Sequence, residues 1–141
     1  MQTFLPYGRS FRAGARALDR QRLGKQRVEG LQILRTIKGL SFGWANHPAV
    51  KMWDGHEEAL ASYVINVCDE WISRGYKDSC RDKVLELVPI TLGQQIVLPD
   101  WIDDIEISLS HKSNLVRKLP EYYGNLWPNV DPYMPYKWPV R

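Results

Sequence analysis

Apolar residues recur at helical spacing in a first segment, which starts near Leu18 or Asp19 and runs to about Lys38. The positions that can share one side of this helix are Leu23, Gly30, Leu31, Leu34 and Ile37. Basic and polar residues occupy the other sides, and Gly39 suits a C-terminal stop. The pattern therefore predicts a first long amphipathic helix.

The same spacing continues in two further segments. A second helix is predicted from Pro48 to about Arg74, because proline is well tolerated in a first helical turn. Its apolar series is Trp53, Leu60, Val64, Val67 and Trp71. With Asp100 as a candidate cap, a third helix is predicted from Trp101 to Leu119. The residues expected to face inward there are Ile102, Ile105, Leu109, Val116 and Leu119.

The remaining segments give weaker patterns. Residues 1–16 are expected to be irregular and basic, residues 84–88 suit a short helix, and strands have little support. Residues 120–141 hold five prolines, so a regular helix is not expected there, and six of the 16 aromatic residues. The predicted fold is a single compact all-α domain spanning residues 1–141. It has about three main helices and an extended, proline- and aromatic-rich C-terminal arm wrapped around them.

Composition excludes several classes of protein. Hydrophobic residues make up 44% of the chain and charged residues 25%, which argues against disorder, collagen and a disulfide scaffold. Cys68 and Cys80 lack metal or redox spacing and are expected to be free thiols. No apolar run approaches the ~20 residues of a membrane span, and no secretory signal is visible. We therefore expect a cytoplasmic monomer with no membrane contact.

Charge is unevenly distributed along the chain. Residues 1–51 carry ten basic and two acidic residues, residues 52–110 four basic and twelve acidic, and residues 111–141 five basic and two acidic. The basic front segment is a candidate surface for a polyanion such as nucleic acid. It is alternatively a segment that the acidic middle neutralises.

Three ordered stretches carry a resemblance to a known family. They are DRQRLGKQRVE at residues 19–29, HPAVKMWDGH at residues 47–56 with a helix running on to RGY at 74–76, and ISLSHKSNLVRKLPEYYG at residues 107–124. Together they resemble the pyrimidine dimer DNA glycosylase family, the small phage-type endonuclease V enzymes.

The resemblance implies a compact all-α fold and an enzyme that removes damaged pyrimidines from double-stranded DNA and then nicks the strand. An N-terminal α-amine attacks the sugar C1′, a Schiff base forms, and a Glu assists the proton steps of β-elimination. No metal or other cofactor is implied. An α-amine suits this role because its ordinary pKa is about 8, against about 10.4 for a lysine.

The candidate catalytic residues are Met1 and Glu29, but both depart from the family pattern. Counted from Asp19, the position of the family's Glu holds Val28, and Glu29 follows one residue later. One residue is a rotation of about 100° on a helix, so we expect Glu29 to need a local shift to act. It is alternatively a surface partner of Lys25. Gln2 replaces a small second residue, which leaves Met1 or Lys25 as the candidate amine.

Other residues are expected to hold DNA. The predicted contacts are Arg22, Lys25, Gln26, Arg27, His56, Lys112, Arg117, Lys118, Tyr122, Tyr123 and Trp127. His111 begins the same basic patch, and Lys137 or Arg141 is a further phosphate candidate. His47 is expected to be a helix cap or a packed ring, and Trp44, Trp53 and Trp71 are expected in the core.

The sequence thus favours two functions over a third. One is a DNA glycosylase, with or without abasic-site lyase activity, acting on a damaged or modified pyrimidine. It would use either the α-amine or, as a glycosylase without lyase activity, a water activated by a carboxylate. The other is a non-catalytic DNA-binding protein on the same scaffold, motivated by Val28 and Gln2. A third, weaker interpretation is an all-α interaction protein whose basic segment only neutralises its acidic middle.

Overall fold

A computed structural model describes residues 1–91 and 93–140. The helices in this part of the chain are α1 (Phe11–Ala17), α2 (Arg20–Ile37), α3 (Pro48–Lys51), α4 (Glu57–Ser73), α5 (Cys80–Leu87), α6 (Ile105–Lys118) and α7 (Pro120–Leu126). A single 3₁₀ turn, Asp100–Asp103, precedes α6, and none of the described residues forms a strand. The all-α class is confirmed, and the described residues form seven helices rather than about three. Arg141 lies outside the described residues.

Helices α2 and α4 form the centre of the core. They approach closely because Gly30 presents no side chain toward Val64. Most of the apolar residues predicted to face inward on these two helices are buried, namely Leu23, Leu31, Leu34, Leu60, Val64 and Val67, whereas Ile37 and Trp71 are partly buried. The 3.6-residue pattern thus identified the core faces of the two longest helices.

The segment predicted as one helix from Pro48 to Arg74 is divided in two. Residues 52–55 form a turn between α3 and α4, and Gly55 there has φ +82°, a conformation that favours glycine. Trp53 lies in this turn rather than in a helix, and it is still buried. Because Trp53 is buried in the turn, its position continued the helical spacing of apolar residues, and the sequence predicted one helix where there are two.

The third predicted helix begins four residues late. The 3₁₀ turn comes first, and the Asp104 side chain then caps α6 by accepting from Glu106 N at 3.0 Å. Ile105 is exposed, so its predicted inward position is wrong. Because α6 begins after Asp104 and not at Trp101, Ile105 faces a different direction from the one predicted.

The two ends of the chain are more ordered than predicted. Residues 2–5 form a buried segment outside any helix, and α1 follows within the stretch expected to be irregular. In the C-terminal arm, Pro120 begins helix α7, where its missing N–H costs no hydrogen bond. The Arg117 guanidinium donates to the carbonyls of Pro132 and Met134, which fastens the next part of the arm to α6.

Within the described part of the chain, no helix combines the length and apolar content that a bilayer span requires. Cys68 and Cys80 are buried free thiols, as expected.

Candidate active site

The first residues of the chain are held deep inside the fold by a buried hydrogen-bond network. Gln26 is its centre: its Oε1 accepts from Phe4 N at 2.9 Å, and its Nε2 donates to Gln2 O at 2.8 Å. The Tyr63 hydroxyl bonds to the same Oε1 and to Phe4 O. His111 Nδ1 accepts from Leu5 N at 2.9 Å. Because these main-chain groups are paired from three helices, α2, α4 and α6, the position of the first residues is closely fixed.

Glu29 reaches this buried segment directly. Its Oε2 accepts from Gln2 N at 3.3 Å, and Gln26 Nε2 lies 3.4 Å from the same oxygen. Gln26 and Glu29 are three residues apart on α2 and therefore face the same side. Helix α2 is continuous from Arg20 to Ile37, so Glu29 makes this contact without a break in the helix. Val28 points to solvent instead.

A cleft of about 280 Å³ opens beside these groups. Its lining residues are Met1, Gln2, Phe4, Gln21, Arg22, Lys25, Gln26, Glu29, Lys118 and Tyr136. Glu29 is the one carboxylate among them, and three basic side chains surround it. A cleft of this kind has the charge to accept a phosphate-bearing group next to a single acid.

The charges of both Met1 and Glu29 act on His47. Burial lowers the pKa of its imidazole, the positive charge at Met1 lowers it further, and the charge of Glu29 raises it. Its Nδ1 accepts from Ala49 N at 3.0 Å and so caps α3, as predicted. A neutral His47 therefore carries its proton on Nε2, which leaves one polar hydrogen to offer.

Aromatic rings from the C-terminal arm continue the wall of the cleft. Tyr136, which lines it, lies 5.6 Å from Trp138 between ring centroids. Trp138 lies 5.8 Å from His47, and His47 lies 5.8 Å from Trp44. Sequence reasoning missed this wall, because it joins residues about 90 positions apart in the chain. The one feature of the sequence that indicated such a wall was the concentration of aromatic residues in residues 120–141.

Three predicted DNA contacts are buried instead. The side-chain amide of Gln26 is buried and hydrogen-bonded to the first residues of the chain, so it is not accessible to DNA. The Tyr123 hydroxyl donates to the Asp19 carboxylate and its ring stacks on Trp127, with centroids 5.4 Å apart. Trp127 Nε1 in turn donates to Tyr7 Oη at 3.0 Å. The structure does not support DNA contact by Gln26, Tyr123 or Trp127, since packing has used their polar and apolar surfaces.

His111, the start of the predicted basic patch, is also buried, so it is not a phosphate contact in this structure. Trp44 is the opposite case, because it was expected in the core and is 45% exposed.

Two of the predicted arginines have internal partners. Arg27 forms an ion pair with Asp78 at 2.6 Å, and its guanidinium lies 4.3 Å from the Trp71 ring centroid. Arg22 lies 3.2 Å from Asp19 and remains on the wall of the cleft. Arg27 therefore stabilises the α2–α5 region, while Arg22 keeps access to the site.

The other predicted contacts lie at the surface or near it. Lys25 and Lys118 are exposed at the cleft. The Lys112 ammonium lies over the rings of Tyr7 and Trp127. Tyr122 is partly exposed and contacts the ring of Tyr123. The Arg117 guanidinium donates hydrogen bonds to carbonyls of the C-terminal arm. His56 lies just before α4 and makes no side-chain cap. Lys137 forms ion pairs with Asp104 and Glu106.

Among the described residues, no group of three or more His, Cys, Asp or Glu side chains is placed to hold a metal ion.

A model of the family described as pyrimidine dimer DNA glycosylase matches residues 1–84. This range includes Met1, Glu29 and His47. Comparison with curated proteins and with solved structures gave no match.

Proposed function

The chain belongs to the pyrimidine dimer DNA glycosylase family, and we propose that it removes a damaged or modified pyrimidine from duplex DNA and cleaves the strand at the resulting abasic site. The observation that carries this proposal is the hydrogen bond from Gln2 N to Glu29 Oε2. It places a carboxylate next to the first residue of the chain, in a cleft lined by basic side chains.

In the proposed first step, the neutral α-amine of Met1 attacks C1′ of the target nucleotide. The bond between C1′ and the base nitrogen breaks, and the base leaves with that electron pair and takes up a proton. The C1′–O4′ bond then opens to give an iminium ion, and O4′ receives a proton. Glu29 lies where it can carry protons between the amine and O4′.

In the proposed second step, the carboxylate of Glu29 removes a proton from C2′. The C3′–O3′ bond breaks, and the 3′ phosphate oxygen leaves with the electron pair. Water then hydrolyses the imine and frees the amine of Met1. The iminium ion makes this elimination feasible because it accepts the electrons released at C2′.

The surrounding residues suit the binding of this substrate. Arg22, Lys25 and Lys118 surround the cleft and can pair with the phosphates on either side of the target nucleotide. Tyr136 offers an aromatic face to an extruded base. Gln26 acts as a positioning residue, since it orients both the first residues of the chain and Glu29.

The test compares the purified protein with its Glu29→Gln variant on duplex oligonucleotides that carry an abasic site, a thymine dimer, uracil or a hypermodified pyrimidine. We expect borohydride to trap a covalent adduct of the wild-type protein at the abasic site, and mass spectrometry to map it to Met1. Glu29→Gln should lower strand cleavage by a factor of about 10² or more, the usual contribution of general acid–base catalysis, with binding retained.

Glu86→Gln is the matched control, because it removes the same charge from an exposed position on α5. An adduct on Lys25 would reassign the amine and contradict the role of Met1. Binding without an adduct or base release from any duplex would contradict the enzymatic proposal and favour the non-catalytic DNA-binding protein.

A further inference from the structure

The loop between α2 and α3, residues 38–47, exposes three large apolar side chains. Leu40 is 64% exposed, Phe42 81% and Trp44 45%. Single exposed apolar residues are normal on protein surfaces, but three in one short loop form a patch that fits an interaction site. Phe42 is the most exposed of the three, so its ring is available to a partner without any rearrangement of the core.

The loop holds these side chains in a defined backbone. Helix α2 ends at Gly39, which has φ +79°, and Leu40 N donates to Arg35 O at 2.8 Å. Turns follow, with Ala45 N bonded to Phe42 O at 3.4 Å and His47 N to Trp44 O at 2.9 Å. Phe42 therefore opens a turn and projects beyond the helices.

A continuous row of rings connects this loop to the cleft. Trp44 contacts His47, and His47 contacts Trp138 of the arm, with centroids 5.8 Å apart in each case. Trp138 contacts Tyr136, which lines the cleft beside Met1 and Glu29. Three successive ring contacts thus join the loop to the candidate active site.

The charge around the loop favours a polyanionic partner. Between Glu29 and Asp54 the sequence contains no acidic residue and three basic ones, Arg35, Lys38 and Lys51. Apolar side chains with basic neighbours match duplex DNA, where phosphates flank an apolar base stack. In a symmetric dimer built on this loop, a second copy of the chain would bring the same positive charge to this surface and be repelled by it.

We propose that loop 38–47 is a DNA wedge, in which Phe42 enters the base stack beside the nucleotide held in the cleft. This inference rests on the proposed function, because it assigns a role to a surface next to that site. An extruded nucleotide leaves a gap in the stack, and an inserted apolar side chain fills such a gap and maintains the kink. Trp44, two residues from Phe42, packs against His47 and anchors the loop there.

The experiment measures binding to a duplex with a tetrahydrofuran abasic analogue next to 2-aminopurine, whose fluorescence rises when it is unstacked. The analogue has no C1′ leaving group, so the readout requires no chemistry. We expect the wild-type protein to raise the fluorescence and Phe42→Ala to lose most of the rise. Phe42→Ala should also bind this duplex about tenfold more weakly, within the range for loss of one stacked ring, and bind a single-stranded abasic oligonucleotide as the wild type does.

Val97→Ala is the matched control, since Val97 is apolar and 84% exposed but lies in the acidic middle of the sequence. Phe42→Trp should retain the fluorescence rise. Equal binding and fluorescence for wild type and Phe42→Ala would overturn the proposal, as would failure of the wild type to bind the duplex. A concentration-dependent dimer in sedimentation that Phe42→Ala abolishes would also overturn it, in favour of self-association.

The experiments distinguish failure of the wedge proposal from failure of the proposed enzymatic function. Loss of the fluorescence rise in Phe42→Ala, in a protein that forms no borohydride adduct and releases no base, would support the wedge and contradict the enzymatic function. An active enzyme with an unaffected Phe42→Ala variant would do the reverse.

Discussion

His111 shows how one buried side chain can hold the first residues of the chain in place. Its Nδ1 accepts the Leu5 N–H, and its ring packs against Phe4 and Tyr136. Burial lowers its pKa from 6.5 to about 3, so the folded protein holds a neutral imidazole. This neutrality matters because a protonated Nδ1 could no longer accept the Leu5 N–H.

The lowered pKa of His111 predicts a loss of stability in mild acid. Below pH 6.5 the unfolded chain binds a proton that the folded protein excludes, so the free energy of unfolding falls as pH drops from about 6.5 to about 3. Between pH 7 and pH 5 this one group should lower it by about 2 kcal/mol. Urea denaturation at several pH values measures the effect.

His111→Gln is the comparison, because an amide oxygen can still accept from Leu5 N and does not titrate in this range. The variant should lose less stability than the wild type over that interval, whatever its stability at pH 7. Parallel pH profiles for the two proteins would contradict the assignment to His111.

At the scale of helices, the contact between α2 and α4 depends on a glycine. A Cβ atom added at Gly30 would lie 2.5 Å from Val64 Cγ2, which is closer than such atoms can approach. The hydrophobic pattern predicted that Gly30 faces inward, but the closeness of its neighbour appears only when the two helices are packed. Glu29 lies on this same helix, so the α2–α4 contact also sets the position of the candidate catalytic carboxylate.

Gly30→Ala should therefore destabilise the protein by about 1 to 2 kcal/mol, as overpacking outweighs the ~1 kcal/mol gain in helix propensity. Thermal and urea denaturation measure the change. Gly124→Ala is the control, since Gly124 lies in α7 with nothing within 4 Å of an added Cβ; it should be neutral or slightly stabilising. If Gly30→Ala is harmless, or if Val64→Ala fails to relieve it in the double variant, the close contact is not the cause.

At the scale of the whole molecule, the fold separates charge. Some basic residues of the front segment are neutralised by the acidic middle, as Arg9 is by Asp103 and Arg27 by Asp78. Others remain at the cleft, where Lys118 joins Lys25 from a distant part of the sequence. Neutralisation thus applies to Arg9 and Arg27, and polyanion binding stays a prediction for the cations at the cleft.

This separation predicts which cations govern the salt dependence of DNA binding. Lys25→Ala and Lys118→Ala should each reduce the slope of log K against log [salt] by about 0.9, the value for one phosphate contact. Arg81→Ala, which removes a cation paired with Asp69 in the acidic middle, should leave the slope unchanged. Fluorescence anisotropy titrations across a range of salt concentrations provide the measurement. Equal slopes for all four proteins would place the DNA on another surface.

The sequence by itself determined those features that local patterns encode. Periodicity identified the core faces of α2 and α4, and the helical spacing with little support for strands predicted an all-α protein. The ordered motifs indicated the family, and the choice of Glu29 and Met1 as candidate catalytic residues came from the same motifs. These inferences depend on residues a few positions apart, whose relative placement the helix geometry fixes.

Only the tertiary structure decided which side chains reach the cleft and which are buried. Gln26, Tyr123 and Trp127 look like DNA contacts in the sequence but pack inside, whereas Trp44 looks like core and lies at the surface. The orientation of Glu29 toward Gln2 depends on a network that joins the first residues to α2, α4 and α6. Burial and hydrogen-bond partners of this kind arise between residues up to 120 positions apart, and no local pattern in the sequence records them.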